Sequence, residues 1–194
     1  MNKIEISDRL KKKKVGIAGC GGLGSNAAVA LARIGLKNIV LIDFDVVDEG
    51  NLNRQYYFRD QLGMLKVNAL RDNLLRIHPD ILLELHAVKL VPENVVNLLG
   101  GCDLVIEAFD GAEVKEMLIE TMMDQLHRIP LIVGNGMAGF GRFEILQINQ
   151  WSKNVYVCGD GLSEIADELP PLAPRVGIVA GMQANLALEL LINQ

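Results

Sequence analysis

Short, almost uninterrupted apolar runs punctuate the chain up to its middle: KVGIAG, NIVLIDF, ILLELHAV, DLVIEAF and PLIVGN. Their β-branched content and continuous apolar character predict strands of a sheet covered on both faces. Between them, apolar residues at helical spacing predict helices over Ser25–Ile34, Lys66–Ile77, Pro92–Leu99 and Glu113–His127. Pro92 suits a first helical turn, where its missing N–H costs nothing, and Gly35 suits a C-terminal cap. Strand–helix alternation of this kind predicts an α/β class, a doubly wound Rossmann-like fold with a mostly parallel sheet and helices on both faces.

After Gly136 the pattern changes. RFEILQI and NVYVC read as a strand pair, followed by a loop with Pro170, Pro171 and Pro174 and then an apolar helix from Val176 to Asn193. A C-terminal β-hairpin and helix extension is therefore expected. Gln183, Asn185 and Glu189 interrupt the last helix, so it is read as buried or amphipathic and not as a membrane span. No repeat or compositional boundary divides the chain, which predicts one domain over 1–194.

Composition narrows the function classes. A hydrophobic content of 50% in 194 residues is enough for a real core. The net charge of −5 gives no electrostatic footprint for nucleic acid. The exception, Lys11 to Lys14, reads as the solvated entry to a strand. It leads into only a short apolar segment and a glycine loop, so no leader peptide is expected. Cys20, Cys102 and Cys158 are odd in number, scattered and without zinc spacing, which predicts neither a disulfide framework nor a zinc site and points to the cytoplasm.

GIAGCGGLGSN places Gly19, Gly21 and Gly24 in G-x-G-x-x-G spacing between a strand and a helix. Such glycines let backbone N–H groups approach phosphate at the positive end of a helix. Asp43, at the end of the second strand, stands where a carboxylate would bind ribose hydroxyls. The loop implies a nucleotide without saying which, and NAD or FAD stays open beside ATP.

The stretch DFDVVDEGNLNRQ carries more polar groups than a ribose needs. ATP brings about four negative charges and, without a Walker loop, needs separate cations and a metal site. Arg54, Lys66 in GMLK and Asp110 closing DLVIEAFD could supply them. Ends of parallel strands converge on one sheet edge, so Asp43 and Asp110 are expected to face one cleft, with Arg54 above it and Lys66 entering the next helix. Each also has a plain role open to it: Lys66 as a surface lysine, Asp110 as a helix N-cap, Arg54 as an ion-pair partner of Asp45 or Asp48.

GCGGLGSN, LIDFDVVDEGNLNRQ, GMLKVNAL, RIHPDI, DLVIEAFDG and LAPRVGIVAGMQANLALELL together resemble the ThiF/MoeB adenylyltransferases, relatives of the ubiquitin-activating enzymes. The resemblance runs from about Lys14 to Leu191 and is closest to compact proteins that activate the thiamine sulfur carrier ThiS. It implies that the C-terminal Gly-Gly carboxylate of a ubiquitin-like carrier attacks the α-phosphate of MgATP, releasing pyrophosphate and leaving an acyl-adenylate. By that resemblance Gly19, Gly21, Gly22 and Gly24 form the phosphate loop, with Gly22 nearest the phosphates, and Asp43 holds the ribose. Gly50, Asn51, Leu52, Asn53 and Arg54 line the nucleotide, with Gln55 near the phosphates. Arg54 and Lys66 neutralise phosphate charge, and Asp110 holds Mg²⁺ with Gly111 beside it. Asp45 and Asp48 shape the loop through hydrogen bonds to backbone and Arg54.

The family pattern is incomplete here. The two C-x-x-C pairs that bind zinc in many members are missing, and the crossover-loop cysteine is replaced near Glu168. Cys158 stands either as a sulfur-transfer thiol on a loop or as a buried cysteine. Arg9 is the arginine available for a role across a dimer, and it lacks the family's surrounding motif. The family habit also implies a homodimer.

Overall fold

The computed structural model describes residues 1–193; Gln194, the last residue of the expected 1–194 domain, lies outside the described residues. Strands β1 (Lys14–Ala18), β2 (Asn38–Ile42), β3 (Leu82–His86), β4 (Leu104–Glu107), β5 (Leu131–Gly134), β6 (Gln147–Ser152) and β7 (Val155–Gly159) form one sheet. Its order is β3-β2-β1-β4-β5-β7-β6. Neighbours are parallel except β6 and β7, which form an antiparallel hairpin. The chain builds outward from β1 to β3, then returns to the other side of β1 with β4. That reversal opens a crevice at the C-terminal ends of β1, β2 and β4, where doubly wound sheets bind ligands.

Side chains alternate between two cores, as the strand period of two requires. Ile39 and Leu41 of β2, with Leu104 and Ile106 of β4, enter the core beneath α2 (Gly22–Arg33), α3 (Lys66–Ile77) and α6 (Ala173–Asn193). Val40, Ile42 and Val105 enter the opposite core, where Val95 and Leu99 of α4 (Pro92–Leu99) and Leu118 and Met122 of α5 (Ala112–Gln125) pack. Apolar runs without polar alternation are the consequence of covering both faces.

Several expectations are corrected. Helix α1 (Lys3–Leu10) was not anticipated; Asn2 caps it, accepting from the Ile4 and Glu5 amides while Glu5 accepts from the Asn2 amide. Helix α2 starts at Gly22, inside the glycine loop, and not at Ser25. Strand β3 is an edge, with Leu82 exposed, and is not covered on both faces. The run from Arg142 is extended only from Gln147. Positive φ at Gly139, Gly141 and Arg142 coils the chain, and Phe143–Ile145 forms a 3-10 turn. The hairpin is no appendage, because β7 pairs with β5 in the main sheet.

By length and composition α6 is apolar enough to cross a membrane. Here Val176, Val179, Ala180, Ala187 and Leu191 are buried in the core shared with α2. Arg9 of α1 donates to the Ile192 carbonyl at 2.8 Å and ties the two terminal helices together.

Candidate nucleotide site

The crevice is a cleft of about 270 Å³ lined by Gly19, Gly21, Asp43, Asp45, Lys66, Asp110 and Gly111, together with Phe44, Phe109 and the Val88–Leu90 segment. Two glycines of the loop are required by geometry. Gly19 has φ +97°, and a Cβ there would fall 2.8 Å from the Ala108 carbonyl oxygen. A Cβ on Gly24 would fall 1.9 Å from the Gly19 carbonyl, so only glycine lets the first turn of α2 close over β1.

Asp43 is buried and holds the loop. Its Oδ2 accepts from the Cys20 amide at 2.7 Å and its Oδ1 from the Asp45 amide at 2.9 Å. Burial pushes this carboxyl up from its ordinary value, against the pull of the Asp45 and Cys20 amides and of Lys66.

Lys66, the first residue of α3, is only 8% exposed and is no surface lysine. Its ammonium lies 2.8 Å from Asp45. A buried ammonium needs a counter-charge, and Asp45 supplies it from the cleft side. This corrects the expectation that Asp45 bonds Arg54. Asp48 exchanges reciprocal hydrogen bonds with Asn51 across the 3-10 turn Glu49–Asn51, and it does not bond Arg54 either.

Arg54 bonds the Gly50 carbonyl at 3.0 Å and Asn53 Oδ1 at 2.8 Å. Its stem lies against Gly22, whose Cβ position is 3.6 Å from Arg54 Cγ and 2.9 Å from Val176. Gly22, Gly24, Gly50, Asn51, Leu52, Asn53 and Arg54 thus stand around the loop but not on the cleft wall. Buried Gln55 lies beside Gly21, its Nε2 3.7 Å from the Cβ position there, and its buried Oε1 has no partner. Asp110 is exposed on the far wall. It does not cap α5, because Gly111 occupies that position without a side-chain hydrogen bond.

This constellation, a glycine loop held by Asp43 with Lys66 and Asp110 lining the same cleft, agrees with the family comparison, in which residues 3–194 match the ThiF family. The chain belongs to the ThiF family. A molybdopterin-synthase adenylyltransferase from Salmonella typhimurium is 30% identical over 195 residues, covering 98% of this chain and 77% of that protein. Ubiquitin-like modifier-activating enzyme 5 from Caenorhabditis elegans is 34% identical over 126 residues, covering 59% of this chain and 30% of its own length. Among solved structures, the E. coli tRNA N6-threonylcarbamoyladenosine dehydratase TcdA in complex with ATP superposes with a TM-score of 0.88 at 22% identity, covering 97% of this chain and 89% of that one. That likeness concerns the fold. By its relatives the chain is placed among the adenylyltransferases.

The ThiF-family loop is braced by residues that the sequence reading passed over. Tyr57 donates through its hydroxyl to the Cys20 carbonyl at 2.6 Å. Ser25 Oγ donates to the Gly21 carbonyl at 2.6 Å and accepts the Tyr56 amide at 2.9 Å. Asn26 donates to the carbonyls of both Gly22, at 2.7 Å, and Arg54, at 3.0 Å. The Y-Y pair directly after N-L-N-R-Q was the available signal. Tyr56 and Arg54, the distant partners of Ser25 and Asn26, lie about thirty positions away in the chain, and no local pattern encodes those bonds. Cys158 lies on β7, fully buried, and not on a loop. Cys20, Cys102 and Cys158 are all buried free thiols.

Proposed function

We propose that this protein catalyses ATP-dependent adenylylation of the C-terminal glycine carboxylate of a ubiquitin-like carrier, with release of pyrophosphate. The observation that carries this reading is that Lys66 and Asp110 line the same cleft as Gly19 and Gly21 of the glycine loop. A triphosphate needs a cation and a metal ligand on either side, whereas a nicotinamide site needs room and groups for hydride transfer. Family membership favours ATP over the NAD or FAD alternative for the same reason.

Asp43 would hold the ribose, and the amides of the glycine loop and Gln55 would meet phosphate oxygens. Lys66 would leave Asp45 in part to meet the phosphates. Among the described residues no group of three or more His, Cys, Asp or Glu side chains is placed to hold a metal. One exposed carboxylate suits Mg²⁺, which keeps several waters and binds through one or two carboxylates plus substrate phosphates. Mg²⁺ bound between Asp110 and the phosphates would neutralise charge there. The carboxylate is already a good nucleophile, so the protein needs to position it and to neutralise charge, and no general base is required.

The carrier we favour is ThiS, in thiazole formation for thiamine, supported by the lack of C-x-x-C pairs in residues 1–194. The molybdopterin carrier is the second reading, supported by the identity to the Salmonella adenylyltransferase across this chain. A net charge of −5 speaks against tRNA. We further propose a cytoplasmic homodimer. ATP–pyrophosphate exchange with Mg²⁺, with and without each carrier, tests the reading. Exchange dependent on ThiS is the expected result. Exchange only with the molybdopterin carrier would move the substrate, and ATP binding without exchange would remove the reading.

A further inference from the structure

Strands β4 and β5 part just before Asp110. Their last paired residues are Glu107 and Val133. Beyond them the Ala108 amide donates to the Ala18 carbonyl of β1 at 2.8 Å, while the Asn135 amide donates to the Cys158 carbonyl of β7 at 2.9 Å. The two strand ends thus follow different neighbours. Asp110 stands exposed on the turn that leaves this fork, and its carboxylate has no hydrogen-bond or ion-pair partner among the described residues.

Two sets of buried polar groups hold the fork, one from each face of the sheet. From the side of α6, Gln183 is 0% exposed and its Nε2 donates to the Glu107 carbonyl at 3.0 Å. From the side of α5, the Lys115 ammonium lies 2.5 Å from the carboxylate of fully buried Glu107 and donates to the Gly134 carbonyl at 2.8 Å. The other Glu107 oxygen accepts the Phe109 amide at 2.7 Å. The Lys115 amide donates to the Gly111 carbonyl at 3.1 Å, so the segment bearing Asp110 is tied on both sides of it.

Packing alone does not call for these groups. Gln183 Oε1 is buried without a partner, a cost that a methionine of similar length would avoid. A buried pair such as Glu107–Lys115 adds little to stability that apolar side chains of the same volume would not. What apolar side chains lack is direction: they can neither accept the Phe109 amide nor donate to the Glu107 and Gly134 carbonyls. Gly134 in turn abuts the helix of the glycine loop, because a Cβ there would overlap Leu23 of α2 and lie 3.3 Å from Gln183 Nε2. Gln183 therefore stands between the strand end that leads to Asp110 and the helix that starts in the glycine loop.

We propose that Gln183 and the Glu107–Lys115 pair are positioning residues that hold Asp110 at a set distance from the glycine loop, where its carboxylate meets a divalent cation bound with the triphosphate. The inference rests on the adenylyl-transfer reading above and on Asp110 as its metal ligand. Groups behind a metal-binding carboxylate fix its orientation, and their loss weakens metal binding by about 10–100-fold.

The test titrates Mn²⁺, a paramagnetic stand-in for Mg²⁺, into protein saturated with a non-hydrolysable ATP analogue and reads bound metal by electron paramagnetic resonance. Wild type, Asp110→Ala and Gln183→Met are compared, and affinity for the analogue is measured separately in EDTA. Gln183→Met is expected to bind the analogue in EDTA as wild type does and to bind Mn²⁺ about tenfold more weakly. Raising Mg²⁺ should recover part of its lost exchange activity, which a merely loosened core would not allow. If Gln183→Met does not fold, the Glu107→Leu/Lys115→Met double variant, which fills the pair's volume with apolar groups, is read in its place. Mn²⁺ affinity equal to wild type in the variant, with Asp110→Ala weakened, overturns the proposal and leaves adenylyl transfer standing. Undiminished Mn²⁺ affinity in Asp110→Ala removes the metal role of Asp110 and the proposal with it. Absence of carrier-dependent exchange in wild type removes the adenylyl-transfer reading as well.

Discussion

The Lys66 ammonium and the Asp45 carboxylate stand 2.8 Å apart at the mouth of the cleft, and the Lys66 amide donates to the Asp45 carbonyl at the same distance. The first turn of α3 is thereby fastened to the loop after β2. Lys66→Met should lower exchange turnover by about 10²-fold, the order expected when one donor to developing charge is lost. Asp45→Asn should cost less than about tenfold, because the Asp45 side chain is 49% exposed and exposed partners contribute little. Steady-state exchange kinetics on both variants separate the two.

Tyr57 should matter through the glycine loop. Its hydroxyl is the buried donor to the Cys20 carbonyl, and Tyr57→Phe removes one buried hydrogen bond at about 1 kcal/mol. Thermal unfolding should shift down by roughly 2–4 °C, and the KM for ATP should rise. An unchanged KM would mean that the loop keeps its shape without the bond.

Asp110 is exposed and caps nothing, so Asp110→Ala should leave the melting temperature unchanged while abolishing Mg²⁺-dependent exchange. Retained activity at ordinary Mg²⁺ would withdraw the metal role. Arg54→Ala should reduce kcat more than it raises the KM for ATP if the guanidinium leaves Gly50 and Asn53 to meet charge in the transition state.

The thiols should be inert in the folded protein. Burial pushes Cys102 and Cys158 up to about 12 and Cys20 well above its usual value, so thiolate is scarce at pH 8. Iodoacetamide labelling read by mass spectrometry should find three modified cysteines only after denaturation. Rapid native labelling of Cys158 would reopen the sulfur-transfer role.

Asp160 and Arg175 form a buried ion pair that joins the loop after β7 to α6. Burial pushes the Asp160 carboxyl up, but the Ser163 and Leu162 amides, the Ser163 hydroxyl and Arg175 together hold it below the ordinary value of 3.8. A depressed folded-state pKa means that the stabilisation is full above that ordinary value and is lost as pH falls through the lower one. Asp160→Ala should destabilise by about 3 kcal/mol through the uncompensated guanidinium, and the loss relative to wild type should shrink below pH 4. Denaturant melts at pH 7 and pH 3 check both statements.

Much of the fold is legible in the sequence. The β1, β2, β4 and β5 runs are apolar throughout because both their faces are covered, and that signal is local. Helices over Lys66–Ile77 and Pro92–Leu99 coincide with the expected spans, since their periodicity and the proline at the first turn mark them. Helix α1 escaped because it is short and surface-bound, although its Asn2–Glu5 capping box was there to be read. The β6 boundary is not legible in side-chain polarity, because glycine and Arg142 backbone angles break the extended run.

The amino-acid sequence by itself determined the doubly wound fold and the residue types of the candidate site, because periodicity and loop chemistry act over a few neighbouring positions. Tertiary structure alone decided the partnerships. Lys66 meets Asp45 and not a solvent shell, Arg54 leans on Gly22, Asn26 joins two loops, and Glu107 is buried with Lys115 where β4 and β5 part. Such pairings depend on which strand ends the sheet order brings together. That order is fixed by packing across the whole chain, so no local pattern carries it.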